Sequence, residues 1–156
     1  MSYDLLIKNG TVVDGTGAAP RRADVAVAGG KIAEIGKIVE GATKVVDASD
    51  LIVAPGFVDP HTHYDAQICW DPYITSSSWH GVTSVIMGNC GVGIAPCKEK
   101  VRDIAAWDLV NVEAIPFDVL GKGVTWDWET FPQYLDAAQR RGCGINLGFM
   151  AALTPF

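Results

Sequence analysis

Short apolar stretches separated by turn residues fill the first part of the chain. They alternate polar and apolar side chains, which is typical of half-buried antiparallel strands. Four such strands are predicted, at Asp4–Val13, Asp24–Val27, Ile32–Ile35 and Lys44–Asp47. Asn9-Gly10 is a hairpin-type signal and predicts a break within the first of them. We expect residues 1–53 to form a small β-sandwich segment, which needs a partner layer to be stable.

The rest of the chain combines longer apolar runs with helical patterns. Three runs predict parallel strands that are buried on both faces: Leu51–Val58, Val82–Met87 and Cys143–Met150. Apolar residues at helical spacing predict a helix over Lys98–Ile115. A second helix is predicted over Phe131–Arg141, because Thr130 and Gln133 fit a capping box at its start.

Strands that alternate with helices predict parallel βαβ units. The predicted fold class is therefore α/β. Residues 54–156 are expected to hold the first three β/α units of a TIM-type (β/α)₈ barrel, after the β-sandwich segment of residues 1–53. A complete barrel takes roughly 250 residues. We therefore expect the 156 residues to be the N-terminal portion of a longer barrel enzyme, or a natural truncation of one.

Two histidines, His61 and His63, follow the first buried run. Side chains of a strand alternate between its faces, so both imidazoles point the same way and can share one metal ion, while Thr62 faces the other side. Cys90 stands in a glycine-flanked turn after the second run. Ligand groups gather at the carboxyl ends of parallel strands, and thiolate plus imidazole suits Zn²⁺. His61, His63 and Cys90 are therefore the candidate metal ligands.

These residues also have other interpretations. The two histidines could lie in a polar turn, with each ring hydrogen-bonded to a carbonyl. Cys90 could be a buried packing thiol, or a nucleophile that uses a nearby histidine as its base. His80 is the only histidine outside the pair, and nothing in the sequence fixes its approach to Cys90.

Composition narrows the class of protein. Hydrophobic residues make up 49% of the chain, which favours a well-buried core. The formal net charge is -6 and the basic residues are scattered singly, so no nucleic acid or anionic membrane is expected as a partner. The chain has no apolar run of about 18 residues and no secretory signal at its start, which predicts a cytoplasmic protein. In that reducing compartment the four cysteines should be free thiols or ligands.

The segment Pro55–His63, together with the β-rich stretch that begins at Asp4, resembles the start of the amidohydrolase superfamily. Four further segments are similar to its N-acyl-D-amino-acid deacylase (D-aminoacylase) branch: Tyr64–Gln67, Trp70–Pro72, Gly81–Val85 and Gly88–Pro96. The resemblance implies a zinc-dependent hydrolase of non-peptide amide C–N bonds that acts on a small N-acyl amino acid or a related amide. It also implies that His61 and His63 are first-strand ligands and that Cys90 is the cysteine ligand.

The mechanism that the resemblance implies uses a metal to polarise the acyl carbonyl and to activate water, and an aspartate to move the proton. In the family that aspartate comes from the last barrel strand and further histidine ligands come from middle strands, so no catalytic residue is assigned among these 156. Asp59 is interpreted as a neighbour that orients a histidine ring, and Asp65 as a polar loop residue. We expect the chain on its own to be catalytically silent.

Two alternatives remain open. A cyclic-amide hydrolase of the dihydroorotase or hydantoinase kind would share the β-rich start and the His-x-His pair, but not Gly-Asn-Cys-Gly. A non-catalytic α/β protein would associate with itself or with a second chain through exposed sheet edges.

Strands with unpaired edges predict self-association of the chain, or pairing with a missing C-terminal barrel portion. Light scattering of the purified 156-residue protein should therefore show oligomers or aggregates. A monodisperse monomer would contradict this expectation.

Overall fold

The computed structural model describes residues 2–153, so the last three residues of the predicted barrel segment lie outside the described part. The chain splits into two compact units between Pro55 and Gly56. None of the helices within residues 2–153 combines the length and the apolar character that crossing a membrane requires.

The first unit is a single mixed β-sheet. Its strands are β1 Tyr3–Val12, β2 Arg21–Ala28, β3 Lys31–Gly36, β4 Ala42–Asp47 and β5 Ile52–Val53. The order is β3-β2-β1-β4, and β5 also pairs with β1. β2 is antiparallel to β1 and β3, as expected, whereas β4 and β5 run parallel to β1. The prediction of an all-antiparallel sheet was wrong because polar–apolar alternation encodes a half-buried strand but not its direction.

β1 continues through Asn9-Gly10, so the predicted hairpin break is also wrong. The pairing register shifts between Ile7 and Gly10, and Asn9 has a positive φ of 63°, which together mark a bulge. Asp24 explains why the chain forms a bulge here and not a hairpin turn. Its buried carboxylate accepts hydrogen bonds from the backbone N–H groups of Asn9 (2.9 Å) and Ile38 (3.1 Å). The bond from Asn9, together with that from Ile38, holds the pKa of Asp24 below its usual range.

The second unit is a parallel sheet with helical connections. Its strands are β6 Phe57–Thr62, β7 Val82–Met87 and β8 Asn146–Phe149, in the order β6-β7-β8. Its α-helices are α1 Arg102–Glu113, α2 Phe117–Gly123 and α3 Phe131–Arg141. Three short 3₁₀ segments occupy Gln67–Cys69, Ser77–His80 and Glu99–Val101. Parallel neighbours in chain order confirm the α/β class, and the closed barrel stays a prediction.

The apolar run Leu51–Val58 is not one buried strand. Its first part contains β5 in the first sheet, and its last part begins β6 in the second sheet. Ile52 and Phe57 are 70% and 66% exposed within the described residues. Apolar composition predicted a strand here, but it does not specify that Pro55-Gly56 divides the run between two sheets.

The core of the second unit packs aromatic side chains of α3 and its preceding loop against the strands. Tyr134 lies edge-on to Trp128 at 4.9 Å and to Phe149 at 5.4 Å between ring centroids. The polar groups of Trp128 and Tyr134 both have hydrogen-bond partners. Trp128 Nε1 donates to the Ile94 carbonyl and Tyr134 Oη donates to the Asp65 carbonyl, both at 3.0 Å. These bonds hold two loops that follow β6 and β7.

The predicted boundaries of α3 are confirmed, including its capping box. Thr130 Oγ1 accepts from the Gln133 backbone N–H, and Gln133 Oε1 accepts from the Thr130 backbone N–H at 2.9 Å. Replacing Thr130 with Ala should lower the free energy of unfolding by about 1 kcal/mol, because a helix N-terminal N–H loses its partner. Urea titration followed by circular dichroism measures the change.

Thr130→Ser is the matched control, since serine keeps the capping oxygen and should stay within about 0.5 kcal/mol of the wild type. Equal losses in the two variants would contradict the capping role.

Candidate metal centre

The carboxyl ends of β6 and β7 carry the predicted ligands. His61 lies within the end of β6, His63 follows it, and Cys90 lies in the turn after β7. Because the two strands are parallel, both ends lie at the same edge of the sheet. The buried side chain of Thr62 does not join these donors, because it donates to the Ile86 carbonyl at 3.0 Å. Donor atoms of His61 and His63 lie close together, as the sequence predicted.

The structure brings all three candidate ligands together. One donor atom each from His61, His63 and Cys90 lies within 4.8 Å of the others. The two imidazole centroids are 5.5 Å apart, and Cys90 Sγ is 3.4 Å from His63 Nε2. Among residues 2–153 no other trio of histidine, cysteine or carboxylate side chains converges in this way.

The turn that holds Cys90 depends on Gly88. Gly88 has a φ of +82°, and a Cβ placed on it would lie 2.3 Å from the Met150 carbonyl oxygen. Asn89 Nδ2 donates to the Pro60 carbonyl at 3.0 Å, which ties this turn to β6. The Val92 backbone N–H donates to Cys90 Sγ at 3.4 Å and so helps to orient the sulfur.

The histidines line an open pocket, and two acids contact them. Its lining is Asp59, His61, Thr62, His63, Tyr64, Gln67, Glu113 and Ile115. Asp59 Oδ1 accepts from the backbone N–H of His61 at 3.2 Å. The prediction that Asp59 contacts a histidine ring was therefore wrong. Glu113 Oε1, at the end of α1, lies 3.2 Å from His63 Nδ1.

Sequence reasoning missed Glu113. A signal was present, because an acid in the last turn of a helix is disfavoured by the helix dipole and therefore suggests another role. The partner of that acid could not be read from the sequence, since Glu113 and His63 are far apart along the chain.

Asp65 is a third acid near the pocket, and it is buried instead of being a polar loop residue. Its residual exposure is 4%, because its backbone carbonyl is held by the core Tyr134 hydroxyl. Burial, with the charge of Glu113 adding to it, raises the pKa of Asp65 to about 7. Its Oδ2 atom has no hydrogen-bond partner among the described residues.

The cluster fits a zinc ion by its chemistry and its spacing. Zinc binds imidazole nitrogen at about 2.0–2.1 Å and thiolate sulfur at about 2.3 Å, so tetrahedral donors lie roughly 3.3–3.6 Å apart. The 3.4 Å between Cys90 Sγ and His63 Nε2 is within that range. The most distant donors in the trio, at up to 4.8 Å, would have to close by about 1 Å.

These features define a parallel α/β protein with a candidate transition-metal site at the carboxyl edge of its sheet. The amidohydrolase family model matches residues 44–147. The chain belongs to the amidohydrolase family, which confirms the resemblance seen in the sequence.

Three individual proteins show more specifically what the chain is similar to. A D-aminoacylase from Alcaligenes xylosoxydans xylosoxydans is 38% identical over 149 residues, which cover 95% of this chain and 28% of that protein. The structure of N-acyl-D-glutamate deacylase from Bordetella bronchiseptica, complexed with zinc and a phosphonate inhibitor, is 32% identical with a TM-score of 0.80 over 99% of this chain and 30% of that one. An allantoinase from Salmonella choleraesuis is 47% identical over 91 residues, covering 55% of this chain and 20% of that protein. The chain thus spans less than a third of each of these relatives.

Gly88→Ala should lower the free energy of unfolding by at least about 2 kcal/mol and displace the Cys90 turn. A positive φ costs an L-residue about 1–2 kcal/mol, and the new methyl group would clash with a backbone oxygen that cannot rotate away. Urea unfolding measures the loss.

Gly121→Ala is the matched control. Gly121 lies in α2, and a Cβ there meets no heavy atom within 4 Å. Alanine should therefore leave stability unchanged or raise it by up to about 1 kcal/mol. A similar loss in both variants would contradict the account of Gly88.

Proposed function

We propose that this chain supplies metal ligands to a zinc-dependent hydrolase that cleaves the amide C–N bond of a small N-acyl amino acid. The observation that carries the proposal is the convergence of donor atoms from His61, His63 and Cys90 within 4.8 Å. Membership of the amidohydrolase family and the similarity to deacylases that act on N-acyl-D-amino acids support the reaction class.

His63 is proposed to bind the metal through Nε2 and Cys90 through Sγ, because these two atoms face each other. A zinc ion held there would supply Lewis acidity toward an amide carbonyl and toward water. Zinc is favoured by the mixed nitrogen and sulfur donor set, and the Bordetella deacylase structure contains this metal.

The scaffold for the site is proposed to be a TIM-type barrel, of which residues 54–156 form three β/α units, while residues 1–53 belong to a β-sandwich. The order β6-β7-β8, with parallel neighbours consecutive in the chain, supports the barrel. Exposed Phe57 and Val58 on β6 support association with further barrel strands or with another copy of the chain.

The chain alone is proposed to bind metal without turning over substrate. Both pocket acids are engaged, since Asp59 accepts from a backbone N–H and Glu113 faces a histidine ring. Asp65 is buried among core residues. We assign none of these carboxylates as the general base.

A cyclic-amide hydrolase is the second candidate. The identity to allantoinase supports it and is higher than that to the D-aminoacylase, but it covers only about half of the chain. The acyl-amino-acid reaction is preferred because its relatives match nearly the whole chain, including the Cys90 turn.

Zinc binding tests the proposal. Native mass spectrometry of the purified chain should show about one zinc ion per protein, and His61→Ala and Cys90→Ala should each lose most of it, because three donors hold the ion. His80→Ala and Cys143→Ala are controls that remove the same side-chain types outside the cluster, and both should retain zinc. A wild-type protein without metal, or equal losses in the controls, would contradict the site.

Hydrolysis provides a separate test. The zinc-loaded chain should release no amine from N-acetyl-D-glutamate and should not open allantoin or hydantoin, since no general base is assigned among the described residues. Turnover that Cys90→Ala abolishes would overturn the expectation of a silent chain, and the substrate consumed would decide between the two candidate reactions.

A further inference from the structure

We propose that Glu113 is a positioning residue for His63, which accepts a hydrogen bond from ring Nδ1 and thereby leaves Nε2 free for a metal. The inference rests on the proposed metal centre. It assigns a role to a residue at the end of a helix, outside the strand ends that carry the ligands.

The two nitrogens of the His63 ring face different partners. Nδ1 lies 3.2 Å from Glu113 Oε1, and Nε2 lies 3.4 Å from Cys90 Sγ. A neutral imidazole carries one proton, so a proton held on Nδ1 toward the carboxylate leaves an acceptor lone pair on Nε2. That tautomer is the one that binds a metal through Nε2.

The His63–Glu113 contact is partly shielded from water. The side chains of His63 and Glu113 are 19% and 28% exposed. Nδ1 itself is buried, and it makes no aligned hydrogen bond within the described residues. Glu113 Oε1 is the acceptor that lies nearby, at 3.2 Å. A small rotation of either side chain would align the pair, and binding of a metal at Nε2 would fix the ring in that orientation.

The position of Glu113 in α1 strengthens the inference. Glu113 is the last residue of the helix, where the exposed carbonyl groups make the end negative, and the last turn contains no basic residue. The helix itself therefore gives this carboxylate no favourable partner. A ring N–H, polarised further when its imidazole binds a cation, provides one.

Within the described residues, no other acid near the pocket contacts a histidine ring. Asp59 accepts from the His61 backbone N–H, and the Asp65 side chain is buried. Glu113 is thus the carboxylate that contacts a candidate ligand ring.

The experiment compares Glu113→Ala, Glu113→Gln and the control Asp118→Asn in the full 156-residue chain. Asp118 is exposed in α2, and its substitution changes the net charge as Glu113→Gln does. Zinc ions alone are titrated against a chromophoric chelator. Glu113→Ala should weaken zinc binding about 10–100-fold, as removal of an outer-shell partner does. Glu113→Gln, which keeps an acceptor oxygen, should lose less than about 10-fold, and Asp118→Asn should be unchanged.

A second readout is the tautomer of His63, measured in the metal-free chain by ¹⁵N-histidine NMR at about pH 8. The wild type and Glu113→Gln should show the proton on Nδ1, whereas Glu113→Ala should show a mixture. A wild-type proton on Nε2, or zinc affinity and tautomer both unchanged in Glu113→Ala, would overturn the proposal.

The two readouts separate the inference from the proposed function. Failure of the wild-type chain to bind zinc would contradict the metal centre, while the tautomer of His63 would still decide whether Glu113 orients the ring. Circular dichroism on each variant identifies a loss of fold, and Glu113→Gln keeps the test decisive if Glu113→Ala unfolds.

Discussion

The parallel pairing of β6 with β7 is the constraint on which the candidate site depends. Thr62 pairs with Met87, so the strands end side by side and their following turns begin at the same edge. The buried Thr62 hydroxyl bonds to the β7 backbone and Met87 is fully buried, which fixes the register. A slip of one residue would turn both histidines toward the opposite face of the sheet.

The segment around β8 supports the Cys90 turn from the other side. Met150 donates its backbone N–H to the Met87 carbonyl at 2.9 Å, and Leu153 donates to the Gly91 carbonyl at 2.8 Å. The carbonyl of Met150 also occupies the space where Gly88 would carry a side chain. The segment that follows β8 therefore holds the turn that presents Cys90, which pre-organises the donor set.

The three acids near the pocket show how one type of side chain takes different roles from different surroundings. Asp59, at the strand end, satisfies a backbone donor, and Asp65 is held in the core, where burial favours its neutral form. Glu113 is half-buried and approaches a ring nitrogen. The three carboxylates have nearly the same chemistry, but they differ in solvent exposure and in the nearest hydrogen-bond donor.

The sequence by itself determined the features that depend on near neighbours in the chain. Alternation placed His61 and His63 on one face, the Val82–Met87 strand was predicted with its observed bounds, and Thr130 with Gln133 marked the start of α3, because each pattern is set by local backbone geometry. The juxtaposition of Cys90 with the histidines followed from one further assumption, that the two strands are parallel neighbours.

Only the tertiary structure decided the features that depend on distant contacts. The Asp24 carboxylate turns Asn9-Gly10 into a bulge, and the apolar run Leu51–Val58 divides between two sheets. Glu113 contacts His63 because α1 ends beside the end of β6. Residue spacing in the sequence does not predict that these two ends lie together. In each case the deciding partner is remote in the chain, and local patterns carry no information about which remote group will fill a given space.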